Sequence, residues 1–185
     1  MSPVTHGLLS WLIADALPTD RRGRLAVTLA GLAPDLDGFG YPFEAVWGDK
    51  LPWFSPYHHQ LCHNGLAAFV FAFLAWLWCR RDWRVGVAAL ATAHLHLLCD
   101  LIGARGPDGY DWPIPYFQPF GSGELSWSGQ WALNAWPNVV ITLVALMWVT
   151  WLATRRGRSP VELLSLRADA VVVGRLRRWW NLQQR

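Results

Sequence analysis

Apolar residues along this chain gather into five stretches, and short basic clusters punctuate them at regular intervals. The first stretch covers residues 6–17 and gives way to Asp20-Arg21-Arg22-Gly23-Arg24, while the second, 25–33, runs into Pro34-Asp35-Leu36-Asp37. A loop rich in glycine, proline and aromatics follows, and then a third stretch, 63–79, stops at Arg80-Arg81-Asp82-Trp83-Arg84. The fourth, 85–102, leads into a turn and a second aromatic loop. The fifth, 136–153, stops at Arg155-Arg156-Gly157-Arg158. The last three stretches each make roughly 26 Å of helix, close to the hydrocarbon thickness of a bilayer, and are predicted to span it. The first two reach only about 20 Å and 14 Å, which predicts a short hairpin or partial spans packed against the others.

If each stretch crosses in turn, all three arginine clusters fall on one side, and the positive-inside rule makes that side cytoplasmic. The six histidines sort to the other end: His6 opens the first stretch, His58, His59 and His63 open the third, and His94 and His96 lie late in the fourth. Asp35, Asp37 and Asp100 fall at the same level. This segregation of imidazoles and carboxylates from arginines places a candidate metal site in the non-cytoplasmic half.

After residue 158 the chain reads as a basic amphipathic tail. Ser159-Pro160-Val161-Glu162 has the form of a capping box with proline in the first turn. Beyond it Val171, Val172, Val173, Leu176, Trp179 and Trp180 are interleaved with Arg175, Arg177 and Arg178. Two placements fit, a helix lying on an anionic membrane surface or one docked on the bundle. The expected architecture is thus all-α: a polytopic membrane bundle of about four to five apolar helices over residues 1–154, with a cytoplasmic amphipathic helix in 155–185.

Composition supports lipid as the environment. Of 185 residues, 53% are hydrophobic and 16% charged, against about a quarter charged in an average soluble domain. Mean hydropathy is only +0.18, but 14 Trp, 16 Gly and 12 Pro lower that index while suiting membranes. A net charge of +3 does not point to nucleic acid, because the arginines sit between apolar stretches rather than along one face. Cys62, Cys79 and Cys99 lack CxxC spacing and read as small buried residues. No signal-peptide pattern precedes the first stretch, which is expected to stay in the mature protein.

The residues that carry chemistry form three motifs. His96 and Asp100 are spaced i, i+4, which puts imidazole and carboxylate on one helical face within reach of one metal ion. His94, two residues from His96, points elsewhere and reads as a hydrogen-bonded packing histidine. In Tyr57-His58-His59-Gln60-Leu61-Cys62-His63-Asn64, His59 pairs with His63 if the segment is already helical, whereas His58 does so if the helix starts between them. Asp35 and Asp37 would share a face in an extended segment, where a carboxylate pair can bridge metals or act as general base.

This order of motifs, from Thr5-His6-Gly7 through Pro-Asp-x-Asp, the paired-histidine stretch and His-x-x-x-Asp to Trp112-Pro113-Ile114-Pro115, resembles the predicted inner-membrane metal-dependent hydrolases, some of them LexA-regulated. The family is in turn similar to the zinc-dependent phospholipase C group. The resemblance implies His6, Asp35, His58, His63, His96 and Asp100 as metal ligands; of the carboxylate pair, Asp35 would bridge or coordinate metal in catalysis, and Asp37 would either support a ligand from behind or act as general base. In the family's His-Arg-x-x-Thr-His-Ser motif, this chain has His59, Cys62 and Asn64 in place of arginine, threonine and serine. No histidine follows Asp100 to complete a third metal position, so one or two ions are expected, zinc first, with manganese or iron as alternatives. The implied activity is hydrolysis of an ester or phosphoester, with a lipid or lipid-linked substrate at the outer side of the inner membrane. The competing expectations are a structural metal site and a metal transporter, and a transporter distributes its ligands through the membrane depth.

Overall fold

The computed structural model describes residues 1–40, 44, 46–47, 60–106, 109 and 111–183. Its helices are α1 (Pro3–Ala16), α2 (Arg21–Leu32), a 3-10 helix (Ala33–Gly40), α3 (Gly65–Trp78), α4 (Trp83–Gly103), α5 (Trp136–Arg156), a second 3-10 helix (Pro160–Leu163) and α6 (Leu166–Gln183). Among the described residues there are only isolated β-bridges, Arg105 with Ala132 and Ile114 with Leu125, and no strands.

Side chains set most of the helix starts. Ser2, Asp20, Asn64 and Asp82 each accept a backbone N–H from the first turn of α1 to α4, satisfying donors that otherwise have no partner. Pro137 sits in the first turn of α5, and Gly157, at φ 76°, ends that helix in the left-handed conformation glycine tolerates best.

The helices alternate in direction. α1, α3 and α5 run away from the histidine-bearing end, and α2 and α4 run toward it. At the opposite end the arginine clusters converge: Asp15 receives Arg156 and Arg158, Arg24 grips Glu162 with two hydrogen bonds of 2.6 and 2.7 Å, and Arg22 lies over Trp78. The separation of basic and histidine ends expected from the sequence is therefore a property of the folded bundle.

Packing is inverted relative to a soluble protein. Where α1, α2, α3 and α4 meet, the core consists of Ala14, Ala26, Val27, Ala30, Ala72, Ala75, Val85, Ala88 and Ala89. A smaller cluster of Leu8, Trp11, Ala145, Val149 and Leu152 joins α1 to α5. Small residues let helices approach closely, which is how association is driven where lipid removes the hydrophobic gain. At Gly31 an added Cβ would lie 1.9 Å from Ser10 Oγ and 3.1 Å from Thr92 Cβ, so α1, α2 and α4 touch there only because the residue is glycine. Large apolar side chains instead point outward, among them Phe69, Phe73, Leu143, Met147, Trp148 and Trp151. An outer surface of this kind suits hydrocarbon, not water.

Two helices, α4 and α5, each of 21 residues, are long and apolar enough to cross a membrane, and α3 is apolar but shorter. The third stretch, expected as 63–79, yields a helix of only 14 residues. Asn64 caps it at one end, and at the other Arg80 and Arg81 turn left-handed at φ 57° and 65°.

The tail also departs from expectation. Ser159 caps a 3-10 turn rather than the long helix, and Glu162 is drawn to Arg24 instead of closing a capping box. Asp169 accepts hydrogen bonds from Ser159 N and Oγ, and Val173 is buried, so the start of α6 docks on the bundle. Val171 and Trp179 face outward with the arginines.

Candidate metal centre

Four elements deliver the site. α2 ends where the 3-10 helix presents Asp35 and Asp37, the turn before α3 brings His63, the last turns of α4 bring His96 and Asp100, and α1 adds His6. The segment carrying Asp35 and Asp37 is not extended, as the sequence suggested, because Ala33 keeps helical dihedrals and the chain tightens into a 3-10 helix. At three residues per turn, positions two apart differ by about 240°. The two carboxylates consequently address opposite sides of the His63 ring.

Both central imidazoles are oriented from behind. His63 Nδ1 donates to Asp37 Oδ2 at 3.0 Å, and His96 Nδ1 donates to the Gly31 carbonyl at 2.8 Å. Each ring therefore turns its Nε2 inward, the arrangement in which outer partners fix the tautomer of metal-ligating histidines. The two Nε2 atoms lie 3.3 Å apart. Asp100 Oδ2 is 3.4 Å from His63 Nε2 and 3.0 Å from that of His96, and Asp35 Oδ1 is 3.6 Å from His96 Nε2.

These separations test the fit to a metal. A tetrahedral ion with bonds of about 2.1 Å places its ligand atoms roughly 3.4 Å apart. One ligand atom from each of Asp35, His63, His96 and Asp100 lies within 4.8 Å of the other three, and the four measured contacts fall between 3.0 and 3.6 Å. Facing lone pairs repel unless a cation lies between them. Asp35 Oδ2 is buried with no hydrogen-bond partner among the described residues, a costly state that a cation would relieve. A mixed imidazole and carboxylate donor set suits a divalent transition ion.

The electrostatics agree. Burial works against charge on His63, but its hydrogen bonds to Asp100 and Asp37 outweigh that and push its pKa up to about 9. A proton thus answers the same local demand for positive charge, and the Met1 ammonium pairs with Asp100 Oδ1.

Of the residues expected at the site, Asp35, His63, His96 and Asp100 form this compact group. His6 lies beside it, stacked on His96 with ring centroids 3.7 Å apart and its Nε2 3.2 Å from Asp100 Oδ1. Asp37 contacts His63 from the outer side and also accepts the Cys62 N–H. His58 and His59 lie outside the described residues. His94 is hydrogen-bonded to the Leu90 carbonyl and to Tyr116 Oη, as its helical phase suggested.

Sequence reasoning missed two supports. The Gly31 carbonyl has no side-chain signature. Gln130, buried, donates to the Asp100 carbonyl and accepts from Trp112 N, tying the aromatic loop to the end of α4. Among the serines, glycines and other amides of its loop, Gln130 carries no distinguishing signal.

Fold and centre together define an all-helical protein with a lipid-suited surface and a cluster of histidines and aspartates at one end of its bundle. The chain belongs to the YdjM inner membrane protein family, whose family model matches residues 1–180. No curated protein and no solved structure matches it.

Proposed function

We propose that this membrane protein is a metal-dependent hydrolase acting on an ester or phosphoester, with zinc as the preferred ion and manganese or iron as alternatives. His63, His96 and Asp100 would hold the ion, and Asp35 would either coordinate it or act on water bound in the remaining position. A divalent cation in that position supplies Lewis-acid polarisation of the substrate oxygen and makes water more acidic.

The observation that carries the reading is Asp35. Its Oδ1 faces the cluster, its Oδ2 has no partner among the described residues, and its side chain is 21% exposed where those of His63, His96 and Asp100 are buried. A structural site is closed by protein ligands, whereas a catalytic one keeps an open position. Asp35 would take a proton from water at that opening, the task of a general base. Asp37 holds His63 by Nδ1. His6 braces the His96 ring and Asp100, so the ligands are set before substrate arrives.

In this reading the helices cross the membrane several times, the arginine end faces the cytoplasm, and the centre opens on the other side. All its ligands lie at one level, which favours a hydrolase over a transporter. The test is turnover by purified protein on a panel of phosphoesters and lipid esters with Zn²⁺ or Mn²⁺. Asp35→Asn should retain most of the metal and lose at least about a hundredfold in rate. Equal rates in the two proteins would remove Asp35 from the mechanism, and full metal loading with no hydrolysis across the panel would favour a structural metal.

A further inference from the structure

Beside the centre, the first turns of α3 and the loop over residues 116–123 enclose an apolar groove with a cavity volume of about 480 Å³, within the range of small-molecule sites. Leu66 and Phe69 form one wall, and Phe117 and Phe120 the other, with Gly121 on the loop side. Polar atoms at its edge are already engaged. Tyr116 O accepts from Gly65 N at 2.9 Å, Tyr116 Oη is bonded to His94, and Gln118 Nε2 donates to Gln60. What the groove offers an occupant is hydrocarbon contact.

Its two ends decide which occupant. Leu66, Phe69 and Phe73, spaced i, i+3 and i+7, are all exposed on one face of α3, so the groove continues onto a surface suited to lipid chains. At its other end Gly65 is two residues from His63, a Cα separation of at most about 7 Å. From this continuity we propose that the groove holds one acyl chain of a membrane lipid whose ester or phosphoester head reaches the metal centre. The inference deepens the hydrolase reading and rests on it for the fate of the head group. Occupancy by the chain does not depend on turnover.

The experiment uses full-length protein in nanodiscs of zwitterionic lipid containing a trace of phosphatidylglycerol with a diazirine on one acyl chain. Adducts after illumination are mapped by mass spectrometry. Leu66, Phe69, Phe117 and Phe120 should be labelled more densely than Leu143 and Met147 on the outward face of α5. Gly121→Trp provides the control, since a Cβ there meets only Phe117 Cβ at 3.6 Å, an ordinary contact, and Gly121 lines the groove within reach of an indole. It should cut groove labelling by at least about tenfold, leaving α5 labelling and metal content unchanged. Groove labelling no denser than on α5, or unaffected by Gly121→Trp, overturns the proposal. Intact groove labelling in a metal-loaded protein that hydrolyses nothing would defeat the hydrolase reading alone.

Discussion

Replacing Asp37 by alanine tests whether the centre is oriented from behind. The Asp37 carboxylate, fully buried, accepts from His63 Nδ1 at 3.0 Å and from Cys62 N at 3.1 Å. Without it the imidazole loses the acceptor that turns Nε2 inward, and outer-shell losses of this kind typically weaken metal binding by about ten- to a hundredfold. That corresponds to roughly 1.4 to 2.7 kcal/mol. The stranded Cys62 N–H should add about 1 to 3 kcal/mol of destabilisation. The assay is competition between the detergent-solubilised protein and a calibrated zinc chelator, with helicity followed by circular dichroism. Asp37→Asn keeps the shape and one acceptor oxygen, so it should recover much of the affinity. A folded Asp37→Ala protein that binds zinc within about twofold of the wild type would refute the orienting role.

Other expectations follow from the same geometry. His96→Ala should lose most of the bound metal by elemental analysis, whereas His94→Ala, which removes contacts to Leu90, Tyr116 and Phe69, should retain it. Full occupancy in a variant lacking both His96 and Asp100 would discard the assigned site. Breaking the buried Arg24 and Glu162 pair with Glu162→Ala should lower stability by about 3 to 5 kcal/mol, read as a fall in Tm in detergent with metal content unchanged. Arg24→Met with Glu162→Leu should restore much of that loss, and no recovery would show that the buried charge is not the cause. With Cys62, Cys79 and Cys99 replaced by alanine, a cysteine at Ser126 should react from outside intact cells, and one at Arg178 only after permeabilisation. Reversed labelling would move the centre to the cytoplasmic side.

Much of this was legible in the chain because it depends on local spacing. Five apolar stretches separated by arginines define alternating helices, and the i, i+4 spacing of His96 and Asp100 places both on one face whatever surrounds α4. The ordered motifs pointed to an inner-membrane family, and the family model that matches nearly the whole chain is that of an inner membrane protein. Residue spacing could not supply what depends on long-range approach. The extent of α3 was settled by the Asn64 cap and the left-handed turn at Arg80 and Arg81, and Glu162 left its capping box for Arg24, 138 positions away in sequence. The sequence placed Asp35 and Asp37 together but not apart in role; the 3-10 helix separates them, giving one to the ligand cluster and one to the back of His63. Asp37, the Gly31 carbonyl and Gln130 act through contacts 26, 65 and 30 residues distant. Which nitrogen faces the centre follows from hydrogen bonds that exist only after the helices close through alanine and glycine, and no local pattern encodes that closure.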